Sequence, residues 1–183
     1  MEIKVRHSKP EDFILISNYF TKKPNDYWLN MGVDPTKLPN EEFWLNKLNE
    51  EYIKPLQEKN LFYLIWEING EAVGHSNVNN IVFGEEAEMH LHIWNSENTK
   101  KGVGMNLLKL TIPMYFKVLK IEKLFCQPYA YNPAPNKVIP RLGFDFVKKH
   151  KPIPVGWIHL DDDMNRYVLS KEKFNSMKDF FKI

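Results

Sequence analysis

The stretch from Glu88 to Leu110 reads E-M-H-L-H-I-W-N-S-E-N-T-K-K-G-V-G-M-N-L-L-K-L, and its two halves obey different periods. Up to Trp94 it alternates. Met89, Leu91 and Ile93 fall on one side of an extended chain, and Glu88, His90, His92 and Trp94 on the other, which is the period of a β-strand. A polar turn follows at Asn95 to Asn98. From Met105 the apolar residues Leu107, Leu108, Leu110 and Ile112 recur at helical spacing. Between the two lie Lys100, Lys101, Gly102 and Gly104. A strand therefore feeds a glycine loop that opens a helix. The first amides of a helix have no internal partner, and the helix dipole there favours an anion. Glycines let a ligand approach the backbone and lysines add charge, so the loop has the makings of a phosphate cradle. The same pattern also suits a tight turn with solvated lysines.

The loop matches neither of two familiar phosphate motifs. It lacks the G-x-x-x-x-G-K-[ST] pattern of a nucleotide P-loop, and Leu107 stands where G-x-G-x-x-G needs its third glycine. Thr99-Lys100-Lys101-Gly102-Val103-Gly104 instead resembles the acyl-CoA loop of the GNAT superfamily of N-acyltransferases, [QR]-x-x-G-x-[GA] between a strand and a helix. The departure is Thr99 in place of Gln or Arg.

Composition sets the frame around this loop. The 183 residues suffice for one domain with a sizeable core. Hydrophobic residues make up 43% and charged residues 26%, as in ordinary globular proteins. A net charge of +2 and the short Lys148–Lys151 patch give no footprint for nucleic acid. The single Cys126 excludes an intrachain disulfide framework and suits a reducing compartment. No apolar run approaches the ~18 residues of a membrane helix. Met1 to Lys9 is polar and charged, unlike a signal peptide. A cytoplasmic protein with no membrane partner is the expectation.

Along the chain, residues 2–7 alternate as a first strand. Ser8-Lys9-Pro10-Glu11-Asp12 signals a helix start, with Ser8 as cap and Pro10 in the first turn. That helix is predicted to reach about Phe20. Residues 21–40 hold Pro24, Gly32, Pro35 and Pro39 and read as irregular, with one helical turn at Tyr27 to Met31. Glu41 to Glu58 reads as a helix that Pro55 bends or ends. Residues 61–68 and 71–83 read as strands flanking Asn69-Gly70, a strong hairpin signal. Gly84-Glu85-Glu86 turns into the Glu88 strand. After the Met105–Leu119 helix come a strand at Lys123 to Tyr129, a helix from Asn132 to Leu142-Gly143, and a closing hairpin at 144–149 and 157–169.

This β-α-α-β-β-β-α-β-α-β-β order is also the GNAT order, so the resemblance spans most of the chain. Asn132, followed eleven residues later by Gly143-Phe144, matches a second pattern of that superfamily. Asn132 and Val138 also match N-x-x-S-x-x-V of its ribosomal-protein alanine acetyltransferase branch, with Pro135 in the Ser position. The resemblance implies an α/β fold in a single domain over 1–183. It has a mixed, mostly antiparallel sheet of about seven strands flanked by helices, with the strands before the loop and after the helix parallel and splayed.

It further implies acetyl-CoA as co-substrate. The arm would bond exposed backbone groups of Ile93 and Trp94, the pyrophosphate would lie on Thr99, Lys100, Lys101, Gly102, Val103 and Gly104, and Asn132 would contact pantetheine. As an Asn ahead of a helix, Asn132 is equally an N-cap. Acetyl transfer to a primary amine, on a small molecule or a protein N-terminus, needs a base for the ammonium and an acid for the leaving thiolate. Some superfamily members place a base Glu fourteen residues before the first loop glycine, which here is Glu88. His90 shares its face and titrates near neutrality. The usual acid position, four residues before the glycine of Leu-Gly-Phe, holds Ile139, so Tyr131 or Tyr129 would substitute. His90 and His92 together lack a nearby third ligand, so no metal is expected. The aromatic residues between Tyr19 and Tyr52 suit an apolar or cationic acceptor and Asp161 to Asp163 a cationic one, or else these are a core and a turn. A monomer or homodimer is the expectation. A catalytically weak CoA-binding module is the alternative, and a phosphate- or nucleic-acid-binding loop a third reading.

Overall fold

Asn69 and Gly70 both adopt positive φ, 51° and 83°, as a two-residue type I′ hairpin requires. They fold β2 (Phe62–Ile68) back onto β3 (Glu71–Val82), which turns in its course into β4 (Glu86–Ile93). β1 (Ile3–His7) pairs with the outer side of β2. These strands form an antiparallel ribbon. A second antiparallel ribbon comprises β5 (Lys123–Cys126), β6 (Asp145–His150) and β7 (Met164–Ser170), with β7 in its middle. The ribbons join through a parallel pairing of Glu86–Met89 with Lys123–Cys126. The computed structural model describes residues 1–95, 103–151 and 163–182. Among these residues the sheet has seven strands in the order β1-β2-β3-β4-β5-β7-β6.

A parallel pair needs a crossover, and α4 (Gly104–Leu119) supplies it. Its buried residues Leu107, Leu108, Thr111, Ile112, Tyr115, Phe116 and Leu119 form one helical stripe. They pack with Trp66, Val78, Met89, Leu124 and Leu169 into the larger core, on one face of the sheet. Two buried hydroxyls fix this helix. Thr111 Oγ1 accepts from Trp66 Nε1 and donates to the Leu107 carbonyl, both at 2.8 Å. Tyr115 Oη donates to Ser76 Oγ at 2.9 Å, and Ser76 Oγ donates to the His90 carbonyl at 2.7 Å. Buried polar groups are costly unless bonded, so these links set the register of α4 on the sheet.

The opposite face is covered by α1 (Phe13–Thr21), α2 (Asn25–Leu29) and α3 (Glu41–Ile53). Phe13, Ile16, Tyr19, Phe20, Trp28, Trp44 and Leu48 pack there on Tyr63 and Ile65. Phe20 and Trp44 stack at a 4.1 Å centroid separation. Most of the aromatic residues from 19 to 52 are therefore core, while Phe43 and Tyr52 are exposed.

Several boundaries differ from the sequence expectation. Ser8 is not the helix cap: its N–H goes to the Tyr63 carbonyl, and Asp12 accepts from Lys9 N at 2.7 Å. A 3₁₀ turn at Pro10–Asp12 precedes α1. The helix begun at Glu41 ends at Ile53, because Pro55 disfavours a helical Lys54, whose ψ is 145°. β5 stops at Cys126 rather than Tyr129, leaving an isolated bridge between Tyr129 and Met164. α5 (Pro133–Arg141) lies as expected. A further helix, α6 (Lys171–Ser176), was not anticipated, and Ser170 caps it by accepting from Lys173 N. Residues 157–162 of the expected last strand lie outside the described residues. Among the described residues no helix is long and apolar enough to cross a membrane.

Candidate functional site

The pairing of β4 with β5 ends at Met89–Cys126, while β4 runs on to Ile93. The sheet therefore opens into a gap beside Leu91 and Ile93. Which backbone groups face the gap follows from the β3–β4 register. Trp94 N donates to Val73 O at 2.9 Å, and Gly74–Ile93, Ser76–Leu91 and Val78–Met89 are the intervening pairs. Antiparallel ladders alternate bonded and non-bonded pairs, so the N–H and C=O groups of Leu91 and Ile93 point away from β3, into the gap. Trp94 corrects the expectation of a free backbone there. Its N–H is bound to Val73 and its carbonyl accepts from Lys23 Nζ at 2.5 Å. Leu91 is the backbone position that sequence reasoning missed.

The start of α4 faces the same gap. Val103 is buried, and among the described residues a Cβ on Gly104 would meet only Ile93 Cδ1, at 3.9 Å. Thr99, Lys100, Lys101 and Gly102 lie outside the described residues, as do Asp161 and Asp162.

On the face of the sheet covered by α1–α3, β3 presents His75, Asn77 and Asn79 opposite His92, His90 and Glu88 of β4. Glu88 Oε2 accepts from Gln127 Nε2 at 2.7 Å and from Asn80 Nδ2 at 3.4 Å. Glu88 Oε1 stands 3.8 Å from His90 Nε2, which is bonded to Asn79 Oδ1 at 3.0 Å. An amide oxygen only accepts, so His90 Nε2 carries the proton and Nδ1 has the lone pair. Burial lowers the proton affinity of His90, against the opposing charge of Glu88. Glu88 and His90 are thus adjacent, as their shared face predicted.

His92 and His75 sit deeper, beneath α1. His92 Nδ1 bonds Tyr19 Oη at 2.9 Å, which in turn bonds Tyr27 Oη at 2.8 Å. Burial, with the neighbouring His90, pushes His92 down to about 3. His75 Nδ1 accepts from the Trp94 indole at 2.8 Å, and burial holds its pKa well below the ordinary histidine value. Both rings are neutral parts of an aromatic cluster. Among the described residues no group of three or more His, Cys, Asp or Glu is placed to hold a metal ion.

Of the expected acid candidates, Tyr131 is open to solvent. Tyr131 is 67% exposed, edge-on to Tyr129, with Lys149 Nζ 5.1 Å from its ring centroid. Ile139 is fully buried in the core. Asn132 caps α5, its Oδ1 accepting from Ala134 N at 3.3 Å. Asp163 pairs with Lys149 at 3.0 Å. Gln127, which bonds Glu88, was also missed. No signal in the sequence singles it out, because its partners lie on β4, β6 and β7.

Residues 3–145 match the family model described as an acetyltransferase (GNAT) domain. No curated protein matches the chain in sequence. Three similar solved structures share the fold at low identity. Spermidine N-acetyltransferase from Vibrio cholerae, in complex with CoA and spermine, is 17% identical with a TM-score of 0.71, covering 94% of this chain and 98% of that chain. RimL, the ribosomal L7/L12 alpha-N-protein acetyltransferase in complex with coenzyme A, is 17% identical with a TM-score of 0.72, covering 92% and 93%. Ribosomal-protein-S5-alanine acetyltransferase from Vibrio fischeri is 20% identical with a TM-score of 0.71, covering 94% of each chain.

Proposed function

The chain belongs to the GNAT acetyltransferase family, and from that premise we propose that it transfers an acetyl group from acetyl-CoA to a primary amine, on a small molecule or a protein N-terminus, within a ternary complex. The observation that carries this reading is the opening of the sheet after Met89–Cys126, with backbone groups of Leu91 and Ile93 turned into it. An extended pantetheine arm bonds to such an edge as a further strand does. Its pyrophosphate would then reach the 99–104 segment, where Gly104 carries no side chain of its own to hinder approach to the backbone. Asn132, beyond the end of β5, would border the arm.

The chemistry needs little more from the chain. The acceptor ammonium gives a proton to Glu88, directly or through water, with neutral His90 as the second candidate. The amine lone pair attacks the thioester carbonyl, and a β4 N–H stabilises the oxyanion. The C–S bond then breaks, the nitrogen loses its second proton, and the thiolate takes up a proton. Tyr131 is the candidate donor for that last step. The similar structures include enzymes for spermidine and for ribosomal proteins, and both are primary-amine classes.

A catalytically weak CoA-binding module is the second reading. The fully buried Ile139 at the family's usual Tyr position favours it. Two measurements separate the readings. A CoA-dependent rise in melting temperature reports binding to the native state, and acetyl transfer to a panel of amines reports chemistry. Gly102→Val should abolish the CoA-dependent rise in a folded protein. Unchanged affinity would refute the loop assignment. Binding without transfer to any amine would favour the module.

A further inference from the structure

Gln127 lies one residue past the end of β5, where β4 and β5 part. Its side-chain amide is engaged at both ends. Nε2 donates to Glu88 Oε2 at 2.7 Å, and Oε1 accepts from His150 Nε2 at 2.8 Å and from Arg166 Nη1 at 3.4 Å. The network fixes which way the amide points. A carboxylate accepts and a guanidinium only donates, so the NH₂ end faces Glu88 and the oxygen faces Arg166 and the His150 ring, whose Nδ1 meets the Lys151 carbonyl at 3.1 Å.

We propose that Gln127 is a positioning residue for Glu88, holding its carboxylate turned toward the acceptor side while Arg166 and His150 brace the amide from behind. The proposal rests on the reading of Glu88 as the base. Three strands converge on this one amide: β4 through Glu88, β7 through Arg166 and β6 through His150. Arg166 is itself held, with its guanidinium 4.0 Å from the Phe125 ring centroid. The other titratable groups facing Glu88 are His90, 3.8 Å away on the same strand, and Cys126 at the end of β5, a thiol held protonated by burial and by the charge of Glu88. Asn80, at a positive φ of 47°, adds a weaker donor to Glu88 Oε2.

A donor aimed at a carboxylate stabilises the charged form and lowers its basicity. Donors lined up through an amide strengthen one another. Tying down Oε2 also leaves Oε1 as the oxygen that faces His90. The contact thereby gives the carboxylate a single orientation.

The pH dependence of kcat/KM tests this, because its acid limb reports the base in the free enzyme. In Gln127→Met the side chain keeps its length and loses its donor, so the limb should move up by about one pH unit. In Gln127→Glu two carboxylates would share one proton, and the limb should move further. Both variants should keep the CoA-dependent rise in melting temperature and the KM for acetyl-CoA. If Met at this part-buried position unfolds the chain, Gln127→Asn, one methylene shorter and equally polar, should shift the limb in the same direction. An unmoved limb in these variants, alongside a Glu88→Gln enzyme that has lost turnover, overturns the role of Gln127 alone. Near-normal turnover of Glu88→Gln overturns the base assignment, and this proposal with it.

Discussion

His75 on β3 and His92 on β4 are directly opposed across the ladder, with ring centroids 4.8 Å apart. Both rings are held neutral by burial, His92 down to about 3 and His75 well below its ordinary value. In the unfolded chain each takes a proton near pH 6.5. Between that value and the folded pKa the unfolded state binds more protons, so stability rises with pH there. It is fully present above about pH 6.5 and is lost as pH falls toward the folded values. The melting temperature should therefore fall steadily from pH 7 to pH 5. His92→Asn should flatten that slope. A slope unchanged in the variant would place the pH sensitivity elsewhere.

Gly74 should tolerate no side chain. An added Cβ would sit 2.4 Å from the His92 carbonyl and 3.1 Å from Ile93 Cα, both backbone atoms. Relief requires the β3–β4 ladder to move. Gly74→Ala should cost about 1–3 kcal/mol or more, as overpacking does, and should weaken CoA binding by displacing Ile93. Chemical denaturation measures the first effect and a CoA titration the second. A variant as stable as the parent would contradict the placement of this strand pair.

Gly104 makes the opposite case. Among the described residues only Ile93 Cδ1 comes near its Cβ position, and Ala is a better helix former than Gly by up to about 1 kcal/mol. Gly104→Ala should be at least as stable as the parent. If a phosphate approaches this backbone, the same change should weaken CoA binding several-fold. Equal CoA affinity would remove Gly104 from the cofactor site.

For Glu88, Gln is the informative substitution, since it keeps shape and removes the basic carboxylate. Acceptor amines with a pKa near ~10 are almost wholly protonated at neutral pH. Glu88→Gln should therefore lose roughly 10²-fold in turnover at pH 7 while binding acetyl-CoA normally. The deficit should shrink toward pH 10, where free amine accumulates unaided. A pH-independent deficit would point to a role other than proton removal.

Much of the architecture could be read from local signals. Asn69-Gly70 announced its hairpin, and the change of period across Gly102 announced the strand–loop–helix crossover. These signals were legible because a few neighbouring residues determine each. The end of β5 was not. Phe125 through Tyr129 keeps a strand-like composition, but Pro128 has no N–H to extend a ladder, and β4 has already diverged. At the site, Glu88 and His90 could be paired from their shared face, and burial of Ile139 follows its helical spacing. Gln127 and Leu91 could not be singled out. Gln127 matters through partners on β4, β6 and β7, and Leu91 through the parity of a ladder that only the β3–β4 register defines. Trp94 was misjudged for the same reason, since the odd or even count of bonded pairs decides which carbonyl is spent.

The seam between the two ribbons has a consequence for the order of folding. Strands β2, β3 and β4 are consecutive and joined by short turns, so their contacts close small loops and form early. The ladder with β5 runs over Glu86–Met89 and Lys123–Cys126, and it must wait for α4 to form and dock. Substitutions at Met89 or Cys126 should accordingly speed unfolding far more than they slow refolding. Substitutions in the Asn69-Gly70 turn should chiefly slow refolding.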